Sequence, residues 1–475
     1  MAHRITVLPQ KLKIEAREGE TLLEVLRRAG VHPDAPCGGE GRCGKCRVMV
    51  DGREVPACRT VVDRDMTVTL PGGGTQRILT QGITLEPMTA LRAGYCLAFD
   101  IGTTTVAGWL LEGGRVLASA SAGNPQTAFG ADVISRIRLK GQWDAMTNSI
   151  RSCVEKLTAR MCRDAGIVPG QIGFISVVGN PSMQQIFLGL PLDNLAAVPF
   201  APVLTRAEIV SAVYPQQAEM LIVPDIAGFV GADTVAGILA AGIDRSDETA
   251  LLVDIGTNGE MVLHSGGRMA ACSAAAGPAL EGAGIRFGMR GQDGAIDHVH
   301  LENNQLKCTV IDGGKAVGIC GSGLIDAVAA ALDASLLNSR GKILTEDGLI
   351  HLTEDIFLNQ EDIRQVQLAK GAIAAGIRLL AAHLGIGLGD IQKVYLAGAF
   401  GTYMDPRSAC RIGLLPPELE GKIQAIGNAA GSGSQLLACC PDASDRAQEI
   451  VDKTEALELA SLPGFARCFA QSMRF

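Results

Sequence analysis

The sequence predicts a small α+β module followed by a two-lobed α/β unit with a cleft between the lobes. Three observations carry this. A strand–strand–helix pattern precedes a loop rich in cysteine and glycine. The run Asp-Ile-Gly-Thr occurs twice in matching surroundings. The length, 475 residues, exceeds what one ordinary core organises.

The first module is read from residues 4–16, which alternate as two short strands, Arg4–Leu8 and Lys11–Ala16, turning at Pro9-Gln10. A helix follows, with Leu22, Leu23, Val25 and Leu26 on one apolar face and a stop at Gly30. After the cysteine loop come a strand, Cys46–Val50, a turn over residues 51–54, Cys58, and a last strand, Met66–Leu70. The run Pro-Gly-Gly-Gly-Thr-Gln at 71–76 reads as linker. The expected division is a module over 1–72, a linker over 73–92, a first lobe over 93–243 and a second over 244–475.

The two lobes follow from an internal repeat. Residues 96–123, with Asp100-Ile101-Gly102-Thr103, return in altered form at 251–277 with Asp254-Ile255-Gly256-Thr257. Each copy has an apolar strand, a second strand, a Gly-Gly-Arg turn and a third strand of small residues. Helical stretches occur in both halves. Met146, Ile150, Cys153, Val154, Leu157 and Met161 make one stripe, and Asp362–Gly385 holds another.

Composition sets limits on function. Hydrophobic residues make up 47% and charged residues 19%, as in packed globular proteins. A formal net charge of −8 supplies no basic excess to neutralise phosphates, so nucleic acid is not expected as a partner. Apolar stretches such as Val230–Ile243 are broken by Gly and Asp, so no membrane span is expected. The first residues lack the apolar core of a secretion signal, and 14 cysteines in such a chain point to ligation or reduced thiols. The expected compartment is the cytoplasm.

Cys37, Cys43, Cys46 and Cys58 are spaced C-x5-C-x2-C-x11-C. A [2Fe–2S] cluster needs four thiolates arriving from several directions, with backbone N–H groups turned toward sulfur. Gly38, Gly39, Gly41 and Gly44 let the chain wrap that closely. Structural zinc is the alternative, but zinc sites usually show two C-x2-C knuckles and only one is present. Cys58 is preferred as fourth ligand over Cys96, which lies on a strand of the next unit. Cys439-Cys440 reads as a buried pair, and Asp297–His300 as a strand with one exposed face.

The repeated Asp-Ile-Gly-Thr places an acid at the end of a buried strand, then Gly and hydroxyls at a hairpin tip. Free N–H groups and hydroxyls there hold phosphate oxygens, and the acid holds Mg²⁺ through water. This makes Asp100 and Asp254 the expected catalytic carboxylates. Gly102, Thr103, Thr104 and Thr105 are the expected phosphate contacts of the first hairpin, and Gly256, Thr257, Asn258 and Gly259 those of the second. A third element, Val394–Asp405, runs a strand into Gly398, Ala399 and Gly401, where backbone can approach an adenosine. Asp233 is a weaker candidate, read first as an acid at a helix N-terminus.

These three elements in this order resemble the superfamily of actin, sugar kinases and Hsp70, which implies ATP binding. Joined to a [2Fe–2S] module, the chain resembles the reductive activators of corrinoid proteins. Ala274–Ile296, Gly318–Asp326, Val366–Ile373 and Gly427–Ala438 look like signatures of that family's ATPase domain. The resemblance implies a β-grasp ferredoxin domain followed by the two-lobed ATPase. It implies an enzyme that uses ATP, Mg²⁺ and a [2Fe–2S] cluster to return a corrinoid protein of a methyltransferase system from Co(II) to Co(I). A low-potential electron donor and a homodimer formed through the ATPase domain belong to the same expectation. Longer family members carry a further domain where this chain has only a short linker. The competing readings are an activator of another low-potential metalloenzyme, and a sugar kinase or scaffold with a redox-sensing module.

Overall fold

The computed structural model describes residues 2–8, 12–29, 31, 33, 39, 41, 46–69, 82, 90–130 and 132–475. The Pro9-Gln10 turn, Cys37, Cys43, Gly38, Gly44 and most of the expected linker lie outside the described residues.

The first unit is a five-stranded mixed sheet. Its strands are β1 (Ala2–Leu8), β2 (Leu12–Arg17), β3 (Arg47–Val50), β4 (Arg53–Pro56) and β5 (Met66–Thr69), in the order β2-β1-β5-β3-β4. β1 runs antiparallel to β2 and parallel to β5, so first and last strands lie side by side at the centre. The helix Leu22–Arg28 packs Leu22, Leu23, Val25 and Leu26 into a core with Ile5, Val7, Val48 and Val68. It starts where Thr21 and Glu24 exchange hydrogen bonds in a capping box.

Two six-stranded sheets follow. The first holds β6 (Tyr95–Ile101), β7 (Thr105–Glu112), β8 (Arg115–Gly123), β9 (Ile172–Gly179), β10 (Glu208–Ser211) and β11 (Glu219–Ile222), ordered β10-β11-β9-β6-β7-β8. Next in the chain come β12 (Ala250–Ile255), β13 (Gly259–Ser265) and β14 (Arg268–Ala274), then a small sheet of β15 (Ala295–Glu302), β16 (Gln305–Val310) and β17 (Gly318–Ile319). A short pair, β18 (Ile350–His351) and β19 (Phe357–Leu358), precedes β20 (Lys393–Ala397), β21 (Ile423–Gly427) and β22 (Thr454–Ala456). The second large sheet is ordered β21-β20-β12-β13-β14-β22.

The repeat seen in sequence is therefore a repeat in space. β6-β7-β8 and β12-β13-β14 are antiparallel meanders, and the first strand of each pairs in parallel with a later strand, β9 or β20. β6 is buried along nearly its whole length, as expected of a central strand covered on both faces. The helices Ala232–Ala241 and Ala429–Cys439 share one core with Ala98 and Trp109 of the first sheet and Leu252 and Val262 of the second. Both lobes are thus anchored on the same helix pair, and the tips of the two meanders meet at one cleft. Cys439 and Cys440 are buried in that core. No described helix is long and apolar enough to cross a membrane.

Candidate functional site

Two sites are built by these elements. In the first unit, Cys46 is fully buried at the start of β3 and Cys58 lies in the turn Ala57–Arg59. The Cys58 N–H donates to Cys46 Sγ at 3.4 Å, and the Ala57 N–H donates to the Cys46 carbonyl at 2.7 Å. Gly39 has φ +105°, and a Cβ there would lie 2.9 Å from Leu23 Cδ2 and 3.9 Å from Cys58 Cβ. Gly39 therefore lies close against the helix and Cys58, where a side chain would not fit. The donor set fits a [2Fe–2S] group: two of its expected cysteines lie side by side, with a backbone N–H already directed at sulfur.

The second site is a cavity of about 550 Å³ between the lobes. Asp100 and Gly102–Thr105 line it from one side, and Asp254 and Gly256–Asn258 from the other. The two hairpins face each other because each closes the same pair of strands: Asp100 lies opposite Ala107, and Asp254 opposite Glu260. Asp233, Gly398 and Phe400 also line the cavity. Gly259 and Gly401 do not. A Cβ on Gly259 would lie 2.8 Å from Ile373 Cγ1, and one on Gly401 would lie 2.7 Å from Leu396 Cγ, so these glycines admit packed side chains. Ala399 is the second residue of the helix Gly398–Tyr403. Gly398, at φ +87°, does approach the site: a Cβ there would lie 2.6 Å from Asp254 Oδ1.

The carboxylates are crowded and withdrawn from solvent. Burial raises Asp100 to about 6, against the hydrogen bond from Asn428, which lowers it. Burial raises Asp254 to about 7, reinforced by the negative charges of Asp233 and Asp100. Asp233 also stands at about 7, raised mainly by burial, with the Thr234 N–H opposing and Asp100 adding to the rise. Glu260 is pushed well above the ordinary range by burial, then by Asp233 and Asp254. Among the described residues, no three His, Cys, Asp or Glu side chains are grouped to ligate a metal directly. Asp100, Asp233 and Asp254, which line the cavity, are carboxylates able to hold Mg²⁺ through its own water shell.

Several supporting residues carry no signal in the hairpin motifs. Asn428 caps the helix Ala429–Cys439 and donates to Asp100 Oδ2 at 2.9 Å. Asn180 Nδ2 donates to Thr103 Oγ1 at 3.2 Å, and Asn124 Nδ2 to the Gly102 carbonyl at 2.7 Å. Arg136 is wholly buried behind the first hairpin, donating to the carbonyls of Thr103 at 2.6 Å and Gly130 at 3.0 Å. Burial lowers its guanidinium to about 10. Asp225 accepts the Ala232 N–H at 3.1 Å, fixing the start of the helix that presents Asp233. Helix-capping asparagine is the sequence signal that marks three of these: Asn428 before a run of small residues, and Asn124 and Asn180 each before a proline.

Comparison with known proteins agrees with this layout. Residues 5–69 match a 2Fe-2S iron-sulfur cluster binding domain. Residues 95–246 match the RACo middle region, and 248–475 the C-terminal domain of RACo, the ASKHA domain. The chain is 35% identical over 420 residues to the corrinoid activation enzyme RamQ of Eubacterium limosum, covering 80% of this chain and 70% of that one. It is 31% identical over 318 residues to a Co(II) methylated amine-specific corrinoid protein reductase of Methanosarcina barkeri, covering 59% of this chain and 58% of the relative. A solved structure of a reductive activator for a corrinoid, iron–sulfur protein superposes with a TM-score of 0.72 at 26% identity, over 100% of this chain and 98% of that one. The chain, a ferredoxin-type domain followed by an actin-like ATPase unit, belongs to the family of reductive activators of corrinoid proteins.

Proposed function

We propose that this protein returns the cobalt of a partner corrinoid protein from Co(II) to Co(I) with one electron, in a reaction driven by ATP. The observation that carries the reading is the union, in one chain, of a cluster-binding domain with a cleft lined by two facing Asp-Ile-Gly-Thr hairpins. The relatives named for corrinoid activation and reduction support it over most of the chain.

In this reading the first domain, residues 1–72, holds the cluster on Cys37, Cys43, Cys46 and Cys58. When bound, a [2Fe–2S] group supplies one electron at a time, at about −400 mV for plant-type clusters. Cys46 and Cys58 offer thiolates, and the Cys58 N–H stabilises negative charge on sulfur.

The lobes, residues 93–243 and 244–475, bind nucleotide between them. Thr103, Thr104 and Thr105 offer hydroxyls and the hairpin N–H groups to phosphate oxygens, and Gly256, Thr257 and Asn258 do so from the second lobe. Asp100 and Asp254 hold the water shell of Mg²⁺. Their raised pKa values mean that the empty cleft retains protons, which a divalent cation displaces. Gly398 lets the backbone of the second lobe close on the adenosine.

The coupling answers an energetic need. For one electron, about 59 mV corresponds to a factor of ten, so a gap of roughly 100 mV is about 2.3 kcal/mol. A ligand that shifts a conformational equilibrium commonly contributes about 1–3 kcal/mol. The partner is a corrinoid protein of a methyltransferase system, the electron comes from a low-potential donor, and the ATPase lobes dimerise; these belong to the same proposal.

The test is MgATP hydrolysis by the reduced, cluster-loaded chain. Stimulation by a Co(II) corrinoid protein, but not by its methylated form, supports the reading. Equal hydrolysis with and without any corrinoid protein contradicts it.

A further inference from the structure

The Asp297–His300 stretch, read in the sequence as an ordinary strand, places one imidazole in the cleft. His298 lies on β15, its side chain 47% exposed, and lines the cavity between the lobes. It also lines a second groove behind, with Asp326 and Ser408. Its Nδ1 lies 2.9 Å from Oδ2 of Asp326, a carboxylate only 5% exposed on the helix Gly321–Asp333. The same Oδ2 accepts the Val299 N–H at 3.4 Å. With the Asp326 carboxylate ionised, its Oδ2 accepts from the ring as it does from the Val299 N–H, which in a neutral imidazole places the ring proton on Nδ1. Nε2 is then left with its lone pair, as an acceptor.

The surroundings say what approaches that lone pair. The phosphate hairpins and their acids occupy the floor of the cleft. His298 lines the cavity together with apolar Leu280, Met289 and Ile311 and charged Arg290 and Asp312, all from elements outside the two hairpins. Apolar surface with a few oriented polar atoms suits a nucleoside, while the hydroxyls and N–H groups of the hairpins suit a triphosphate. The neighbouring Ser322 hydroxyl does not compete for Nε2, since it donates to the Asp297 carbonyl at 2.9 Å.

We propose that His298 Nε2 accepts a hydrogen bond from the nucleoside part of the bound nucleotide, and that Asp326 is the positioning residue that fixes its tautomer. The inference rests on the ATP-binding reading of the cleft. Two groups of ATP offer the required donor: a ribose hydroxyl and the adenine amino group.

Calorimetric binding to the full, cluster-loaded chain distinguishes them, using MgATP, its 2′-deoxy analogue and the purine analogue lacking the 6-amino group. The wild type is expected to bind one analogue about tenfold more weakly than MgATP. His298→Ala is expected to weaken MgATP by a similar factor and to erase the handicap of that same analogue, naming the donor. His298→Gln, which keeps an acceptor oxygen, is expected to recover part of the discrimination. Asp326→Asn is expected to reduce the discrimination ratio while leaving binding of inorganic triphosphate unchanged. The proposal is overturned if the wild type binds all three equally, or if His298→Ala keeps the wild-type affinities. A wild type that binds no MgATP at all overturns the ATP-binding reading itself.

Discussion

Asn428 of the second lobe donates from Nδ2 to Oδ2 of Asp100 in the first lobe at 2.9 Å, joining the two halves of the repeat at the floor of the cleft. Its own side-chain oxygen accepts the Gly431 N–H, so the helix that links both sheets and the acid of the first hairpin share one residue. Ser434, six residues along the chain in that helix, reaches the Phe99 carbonyl at 3.1 Å, on the strand that carries Asp100. Closure of the lobes and the state of the Asp100 carboxyl are therefore linked through a single helix end.

Asn428→Ala removes the group that lowers the Asp100 pKa, leaving burial unopposed. The ionised carboxylate then forms only at higher pH. The acid limb of MgATP binding is expected to move toward alkaline pH by about one unit. Binding measured from pH 5.5 to 8.5 in both proteins checks this, and coincident profiles would contradict it.

Asp254 supplies a stability test with a definite sign. Its folded pKa, about 7, lies above the unfolded carboxylate value, so folding favours the protonated form. That contribution is complete at low pH, below the unfolded pKa, and is lost as pH rises through about 7. Asp254→Asn, fixed neutral, is expected to match the nucleotide-free wild type only at about pH 3.5, and to be the more stable of the two by a margin that grows up to about pH 7 and then levels off, at most about 4 kcal/mol. Thermal unfolding across that range gives the answer. The same variant is expected to lose MgATP hydrolysis by at least about a hundredfold.

Arg136 tests the support behind the phosphate hairpin. Arg136→Met leaves the carbonyls of Thr103 and Gly130 without their buried donors, a cost of about 1–3 kcal/mol each at most. The expected result is a lower melting temperature together with a KM for MgATP raised about tenfold. Arg136→Lys, which restores one donor, is expected to recover stability more than KM, because only the guanidinium reaches both carbonyls. Equal recovery of both would reduce Arg136 to a packing residue.

Cys58→Ser addresses the first domain. The variant is expected to fold with its sheet intact, since the Cys58 side chain is only partly buried against the core, yet to lose most bound iron. Iron content and the visible spectrum of the anaerobic protein measure this. Full cluster occupancy in the variant would move the fourth ligand elsewhere.

The hairpins were legible in the sequence because their signal is local: an apolar strand, an acid, a glycine and hydroxyls within six residues. The cysteine loop was legible for the same reason, through its glycines and its spacing. What the sequence did not reveal is set by tertiary contact. Asn428 reaches Asp100 from the far end of the chain, Arg136 lies buried behind a loop thirty residues before it, and His298 meets Asp326 across two elements. Gly259 and Gly401 looked like ligand-facing glycines, but the space above each is taken by Ile373 and Leu396. A glycine in a motif marks close approach, and only the fold says whether a ligand or a side chain approaches.

The central claim is that nucleotide binding in the cleft drives an electron from the first domain to cobalt. The most direct test mixes the reduced, cluster-loaded chain anaerobically with a Co(II) corrinoid protein and follows the visible spectrum with and without MgATP. The account predicts Co(I) with MgATP, little without it, and none with the Asp254→Asn variant despite a normal cluster spectrum. Co(I) forming equally in the absence of nucleotide would contradict it.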